Sequence, residues 1–537
     1  MRDARRLSRP SLVFVVFVAV VALVAATDWF AANAAAADPA LEPYDGRFAS
    51  VTQLARYKYS RWGFLFVDLK TGETIAAQNA DQMFIPASVT KCFSVAAALD
   101  AFGPTFRFTT PIHRRGEVDS MGLLRGDLIL VASGDPTLGG RTTDAGEIEF
   151  TDNDHTYANG SRETRLTVSD PLAGLNELAK QIAAAGVRRV EGNVLIDDRL
   201  FDRADGSGSG PGRITPIMIN DNVIDFTITP TTPGSPAKVD WRPRTTAVQI
   251  DVDFITTAND GKLATWISDL GHGRIHIHGQ IPANHVPVVR IHEVPDAASY
   301  ARTLLIEALE RQGIAVSSPR WMENPASELP GREQVAALPQ VAKFVSPPFS
   351  ENARLILKVS HNLHASTLPM LLAAKNGRRS LAEGLGFERE FLRKAGVDVG
   401  SISFAGGAGG SRADHVTPRA TVQLLRHMAT RPDFAAYEKA LPILGVDGTL
   451  AKSVDANSPA RGKVFAKTGT LTWDNLLNDS SLLTSKALAG YLDAPNGQRM
   501  AFALFVNNVP LGPGVDSRVV GRDLGRVCEL MFESARP

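Results

Sequence analysis

The chain has 537 residues, 44% of them apolar and 21% charged, the composition of an ordinary globular protein too long for one compact core; length alone suggests roughly three or four domains. Lysine plus arginine and aspartate plus glutamate balance at 57 each, so no overall field attracts nucleic acid or an anionic membrane surface, and a polyanion-binding role is disfavoured. Two cysteines, Cys92 and Cys528, are too few for a disulfide-stapled scaffold. Both sit in apolar helical patterns, as small buried hydrophobes do.

Arg2, Arg5, Arg6 and Arg9 precede an uncharged apolar run over 12–26 and a small-residue tract ending near Ala37. This is the layout of a secretory signal cleaved between Ala34 and Ala37, and it implies export to the periplasm or cell envelope. The alternative is an uncleaved anchor, but Asp28 cuts the run short of the ~20 residues a spanning helix needs. The residues after the paired arginines do not complete a twin-arginine signal.

Next, 63–67 and 74–77 flank Lys70-Thr-Gly-Glu73 and predict a β-hairpin. A helix is predicted from Pro86, whose fixed φ suits a first turn, to a stop at Gly103. Val95, Leu99 and Phe102 share its buried face by their i, i+4, i+7 spacing. From about 110 to 344 the pattern shifts to short strand-like runs with Gly/Pro/Asp-rich connections. That predicts mostly β structure with one helix near 171–185, in one or two subdomains. The tract Asp205-Gly-Ser-Gly-Ser-Gly-Pro-Gly212 reads as a flexible loop, because Pro211 breaks the G-x-G-x-x-G phosphate-loop pattern.

Helical patterning returns over 351–376, 381–395, 417–431 and 434–440. A hairpin of 487–492 and 500–506 turns at Pro495-Asn496-Gly497, and an amphipathic helix follows from Asp516 to Phe532. Strand–helix elements at both ends predict one α/β (α+β) domain around an antiparallel sheet. Residues 38–109 and 345–537 build it, 110–344 form inserted, mostly-β subdomains, and 1–37 are the signal peptide.

Three motifs carry chemistry: Ser88-Val-Thr-Lys91, Ser360-His-Asn362 and Lys467-Thr-Gly469. On a helix the first puts Ser88 and Lys91 on one face, so the amine can reach the hydroxyl. Serine is a poor nucleophile until an adjacent base takes its proton, and lysine serves only if burial or another cation, here Lys467, lowers its pKa. The second motif interrupts a helical run where polar side chains must turn into a cleft. In the third, a strand leads into Lys467-Thr468-Gly469-Thr470; the glycine admits a substrate backbone, and Lys and Thr can hold a carboxylate. Singly each is weak, but together and in this order they match the motif set of penicillin-binding proteins and β-lactamases.

On these motifs the chain resembles the class C low-molecular-mass penicillin-binding proteins, the D-alanyl-D-alanine carboxypeptidase/endopeptidase family S13. The likeness extends to Ser133-Gly-Asp-Pro-Thr-Leu138, Gly192-Asn-Val-Leu-Ile-Asp197 through Phe201, Gly445-Val-Asp-Gly-Thr-Leu450, Ala487-Leu-Ala-Gly-Tyr491 and the strand ending at Asn507-Asn508. Roughly half of the chain separates Lys91 from Ser360, as in a family that inserts domains between its first two motifs. The chain departs from the family at Gly406-Gly-Ala-Gly-Gly-Ser411, at Ser366, where a Glu is common, and in a longer stretch from Trp473 to Lys486.

The resemblance implies a serine β-lactamase/transpeptidase-like fold and an acyl-enzyme at Ser88, with Lys91 as general base. Ser360 and Lys467 would relay a proton to the leaving amine, and Asn362 would orient Lys91 and substrate. Thr468, Gly469 and Thr470 would bind substrate, the two hydroxyls together with Lys467 holding its carboxylate, and backbone N–H groups of Ser88 and Thr470 would form the oxyanion hole. Peptidoglycan stem peptides and cross-links would be substrates and β-lactams covalent inhibitors, with no metal or organic cofactor. Asp197 and Phe201 are candidates for contacting the stem peptide, against a plainer role at a strand end.

Two other readings stay open. One is a β-lactamase or esterase on the same scaffold; the other is a catalytically silent wall-binding or penicillin-sensing protein. His272, His276 and His278 suggest a metal, yet Arg274-Ile-His-Ile-His278 alternates as a half-exposed strand, and no ligand spacing accompanies it.

Overall fold

The computed structural model describes residues 46–535, so the signal segment and its cleavage region lie outside the described residues. Strand β1 (Arg61–Asp68) turns through Lys70-Thr-Gly-Glu73 into β2 (Thr74–Gln78). Far along the chain come β3 (Val464–Asn475), β4 (Ser480–Asp493) and β5 (Arg499–Leu511). Together they make a five-stranded antiparallel sheet in the order β3-β4-β5-β1-β2, with Arg61 opposite Asn507 and Lys467 opposite Ala489.

The period-two alternation of strands divides β1 between two cores. Leu65 and Val67 face a helical layer, whereas Trp62, Phe64 and Phe66 face the other side. The helical layer contains α1 (Thr90–Phe102), α2 (Phe349–Val359), α3 (Asn362–Lys375), α4 (Leu381–Lys394), α5 (Pro418–Ala429) and α6 (Phe434–Ala440). The opposite face is covered by α7 (Ser517–Ser534), through Val520, Leu524, Val527, Cys528 and Met531. Helix α1 departs from a one-sided amphipathic helix: every residue from 90 to 99 is buried, including Lys91 and Ser94. It is wedged between sheet, α2 and α3, so its polar face looks into protein rather than water.

The stretch between the first two motifs leaves by strand Thr109–Val118 and returns by strand Gln340–Val345. The two are paired, with Thr109 opposite Val345. A six-stranded sheet, two three-stranded sheets and the helices Ala173–Ala184 and Ala297–Arg311 share a third core. The second of these helices falls in a stretch expected to be mostly β; its Ala297, Ala301, Leu304, Leu305 and Ala308 keep a helical spacing, and Arg302, Thr303 and Glu307 on the other side are buried as well. His276 and His278 lie on strand Arg274–Pro282 with Ile275 and Ile277 turned inward, and His278 stacks on Trp266. Asp197 ends strand Val194–Asp197 ion-paired to Arg199, and Phe201 is buried in the main core, so both have structural roles. Both cysteines are free and buried. Among the described residues no helix is long and apolar enough to cross a membrane.

Arg302, fully buried in the helix Ala297–Arg311, donates to the carbonyls of Val194, Pro319, Arg320 and Met322 and to the Ser318 hydroxyl. It pins the 318–322 turn to a strand end. Arg302→Met keeps the volume but strands these acceptors, and should cost roughly 3 kcal/mol. Urea unfolding followed by circular dichroism checks this; an unchanged midpoint would show the guanidinium to be dispensable.

Candidate active site

Ser88 sits in the 3-10 turn Ala87–Val89 that opens α1. Ala87 is left-handed there, φ 46°, a conformation that costs an L-residue roughly 1–2 kcal/mol. Neighbouring backbones hold the turn. A Cβ on Gly409 would stand 1.9 Å from Ala87 O, and one on Gly469 2.4 Å from Pro86 O. Two glycines thus let a loop and strand β3 close on the nucleophile from opposite sides.

Lys91 is fully buried, and its Nζ lies 2.8 Å from each of three oxygens: Ser88 Oγ, Asn362 Oδ1 and Ala408 O. A neutral amine has two N–H donors and one lone pair. The two acceptor-only oxygens, of Asn362 and Ala408, take the donors, which leaves the lone pair for the Ser88 hydroxyl proton. Burial, then the nearby charge of Lys467, holds the Lys91 amine well below its ordinary pKa. Lys467 is buried as well and bonds Ser360 Oγ at 2.9 Å and Thr468 O at 2.6 Å. Its burial pulls it down to about 7.

Ala408 belongs to the glycine-rich run Gly406–Ser411. Its carbonyl, rather than any side chain there, completes the shell of Lys91, and Ser94 Oγ fixes the run through Gly407 O at 2.7 Å. The tract 205–212, read from sequence as a free loop, is instead a closed turn docked on this run, with Ser209 N donating to Gly410 O at 3.1 Å. Its Ser209 carbonyl accepts from Asn362 Nδ2 at 3.3 Å. Glycine-rich composition reports turn geometry only; it carries no mark of what the turn packs against.

Ser360 is left-handed, φ 66°, where α2 ends and α3 begins, and this reversal aims Ser360 and Asn362 at the two lysines. The motif is anchored from beneath by the inserted segment. Tyr157 donates to Ser360 O, and His364 Nε2 meets Asp221 Oδ1 at 2.5 Å. Asp221 Oδ2 is held by Arg141 at 2.6 Å and His155 at 2.7 Å, and Arg141 also grips Asp154. Asn220, Asp221 and Asn222 are all left-handed, a strained turn that the network fixes. Burial opposes the charge on Asp221, yet Arg141 and the histidines hold its carboxyl well below the usual range. His155, pulled down by burial, is carried up to about 10 by Asp225 and Asp154.

Asp221, His361 and His364 bring ligand-type atoms within 4.8 Å of one another. An ion shared by two imidazoles lies in both ring planes, about 2.0 Å from each nitrogen. These rings are stacked face to face with centroids 3.7 Å apart, so their nitrogens run side by side rather than converging. Within the trio His364 is hydrogen-bonded to Asp221, and His361 accepts from the His364 backbone N–H.

The third motif lies on β3, the edge strand; the segment 442–444 pairs with its outer side over 464–466, and beyond Ala466 no strand pairs there among the described residues, which leaves an edge for an extended peptide. Thr468 Oγ1 bonds Thr449 Oγ1 at 2.7 Å, and Thr470 is exposed. The long stretch after it extends β3 and β4 beyond the end of β1, with β5 paired alongside as far as Ser481 opposite Leu511, and Leu476 and Leu477 are exposed at the tip. There the Trp473 ring receives the Arg412 guanidinium at 4.0 Å. Direct bonds thus join Ser88 and Asn362 to Lys91, and Ser360 to Lys467, with Thr468, Gly469 and Thr470 on the adjoining edge.

A helix opening at a serine, a Ser-x-Asn reversal between two helices and a Lys-Thr-Gly edge strand on an antiparallel sheet define a β-lactamase/transpeptidase-like protein with additional β-rich segments. The chain belongs to the D-Ala-D-Ala carboxypeptidase 3 (S13) family, whose profile matches residues 47–520. It is 28% identical over 480 residues to the D-alanyl-D-alanine carboxypeptidase of Actinomadura sp. (strain R39), covering 84% of this chain and 78% of that one. It is 25% identical to D-alanyl-D-alanine carboxypeptidase DacB of Haemophilus influenzae, covering 84% and 86%. The crystal structure of penicillin binding protein 4 (dacB) from H. influenzae shares the fold, with a TM-score of 0.67 at 21% identity over 90% of this chain and 99% of that one.

Asp221→Ala removes the hub of the anchor: Arg141 keeps Asp154 and His155 keeps Asp225, but each loses a buried charged partner and His364 loses its acceptor. A loss of about 3–5 kcal/mol is expected. Hydrogen–deuterium exchange should show faster exchange over 358–366 than in the wild type; unchanged protection there would mean that the network does not hold the second motif.

Proposed function

We propose that the protein is a serine-type D-Ala-D-Ala carboxypeptidase and DD-endopeptidase of peptidoglycan that works through an acyl-enzyme at Ser88, is inhibited by penicillin, and acts in the periplasm or cell envelope. The observation that carries this is the three-oxygen shell of Lys91, which leaves a neutral amine's lone pair facing one hydroxyl, that of Ser88. The relatives' names supply the substrate class. H. influenzae penicillin binding protein 4, of the same fold, has also been solved with a bound β-lactam.

In this mechanism Lys91 takes the Ser88 proton as Oγ attacks the carbonyl of the penultimate D-Ala. The tetrahedral oxyanion is met by backbone N–H groups of Ser88 and Thr470. The C–N bond breaks as a proton passes through Ser360 and Lys467 to the leaving amine, and water, deprotonated in turn by Lys91, releases the acyl group. A pentapeptide stem and a D-Ala-diaminopimelate cross-link both place a free carboxylate beside the scissile bond, so both are substrates. The 230 Å³ cavity beside Asn362, lined by Tyr157, Ser209, Arg213 and Glu293, offers room for the acyl-side peptide.

Incubation with penicillin should add one penicilloyl group, mapped by peptide mass to Ser88, and Lys91→Met should abolish it with the fold intact. An adduct elsewhere, or none at high antibiotic concentration, rejects the nucleophile. Purified muropeptides should lose D-Ala and dimers should be cleaved. Rapid turnover of a chromogenic cephalosporin without either reaction would place the protein with the β-lactamases.

The charge on Lys467 is one of the two causes that depress Lys91. In Lys467→Ala that cause is gone, Lys91 holds its proton to higher pH, and the acid limb of the acylation rate moves toward alkaline pH. Stopped-flow acylation across pH 5–10 checks the sign; a limb that stays put or moves to acid separates the two amines electrostatically.

A further inference from the structure

Lys467 cannot itself hold the carboxylate that the threonine hydroxyls present. In an antiparallel pair, residues directly opposite share a face and successive residues alternate. The register sets Lys467 opposite Ala489, Thr468 opposite Leu488, Gly469 opposite Ala487 and Thr470 opposite Lys486. Ala487 and Ala489 belong to the helical core and Leu488 to the core under α7. Lys467 therefore points among the helices, where its amine is buried against Ser360. Thr468, Thr470 and Lys486 point the other way.

Lys486 lies outside the three motifs, at the end of the stretch that is longer than the family's. Its Nζ donates to Thr470 Oγ1 at 2.8 Å. Its stem packs on α7, where a Cβ on Gly521 would stand 3.1 Å from Lys486 Cε and 3.4 Å from Nζ, so the absence of a side chain at 521 makes its room. Among the described residues no carboxylate is within 4.0 Å of this amine. Asp516, the acid that acts on it from farther off, already caps α7 through the N–H groups of Arg518 and Val519. Among the described residues the one hydrogen-bond partner of the Lys486 amine is the Thr470 hydroxyl, at an exposed edge, so the ammonium has donors left over for an incoming anion. Burial lowers the amine to about 8, which leaves it cationic at neutral pH.

We propose that Lys486 is the cation that selects a free terminal carboxylate on the substrate at the Thr468–Thr470 edge. This rests on the acyl-transfer reading above and assigns the specificity of that site. The ligand class is a peptide whose scissile amide is followed by one residue bearing a free α-carboxylate, gripped by two hydroxyls and one ammonium while Lys467 stays with the proton transfer.

The test uses the full chain and two synthetic peptides that end in D-Ala-D-Ala, one with a free carboxylate and one with a C-terminal amide. For Lys486→Met, kcat/KM on the acid should fall roughly tenfold to a hundredfold, the range for a lost charge-assisted hydrogen bond. The loss should appear mainly in KM. The amide should be cleaved at the wild-type rate, which also reports an intact fold. Lys486→Arg should recover most of the loss, and Gly521→Leu, which crowds the amine out, should reproduce it. An equal loss on both peptides, or none on the acid, overturns the assignment. Failure of the wild type to be acylated at Ser88 or to cleave either peptide would instead overturn the reading of the site on which it rests.

Discussion

Everything at the centre of this molecule depends on keeping two lysine amines, Lys91 and Lys467, in one buried pocket without a carboxylate beside them. Both are wholly buried, and among the described residues neither has an acidic partner within 4.0 Å. Removing an ammonium from water is expensive, and a second cation nearby adds to the cost, so the interior favours the unprotonated amine. A paired aspartate would make the pocket more comfortable and Lys91 useless as a base. The carbonyl of Ala408 and the amide of Asn362 satisfy the amine's donors without supplying the negative charge that would hold its proton.

The rest of the architecture keeps that pocket shut. The loop carrying Ala408 closes on the nucleophile turn because glycines permit backbone-to-backbone approach, and the 205–212 turn closes on that loop in its turn. The Asp221 network works from the opposite direction. It neutralises charge locally with Arg141 and His155, so the floor under Ser360 is polar and rigid yet sends little net field toward the lysines. The inserted segment is therefore part of the wall of the pocket as well as a separate core.

The fold and the motif residues were largely legible in sequence, for identifiable reasons. The hairpin at 61–78 and the helices around the second motif obey a clear period and appear within a residue or two of their expected bounds, whereas the closing strands, expected at 487–492 and 500–506, run longer, over 480–493 and 499–511. The helix Ala297–Arg311 was missed although its apolar residues keep a helical spacing, because the strand-like runs on either side of it set the reading of that stretch. What sequence could not supply at the site is of one kind: groups that act through the backbone or through pairing across the chain. Ala408 and Ser209 contribute carbonyls, which every residue has. Asp221 matters because three left-handed residues lift it under Ser360, and Lys486 because the strand register sets it opposite Thr470. None of these has a side-chain pattern along the chain that would separate it from an ordinary surface residue.

The three motifs all lie before residue 471, yet the strand that carries the third is placed by partners that follow it. Between β3 and β1 stand β4 and β5, and the edge of β1 is tied to β5 by contacts such as Ser60 to Asn508, 448 positions apart. Loop closure on that scale comes late, when the last strands are available. Until then Lys91 is an ordinary solvated ammonium and Ser88 an ordinary alcohol, with no more reactivity than any other pair on an unfolded chain. The order of elements along the polypeptide thus makes the nucleophile latent: a chain emerging N-terminus first carries its reactive groups from the start, but their chemistry is switched on only when the sheet closes.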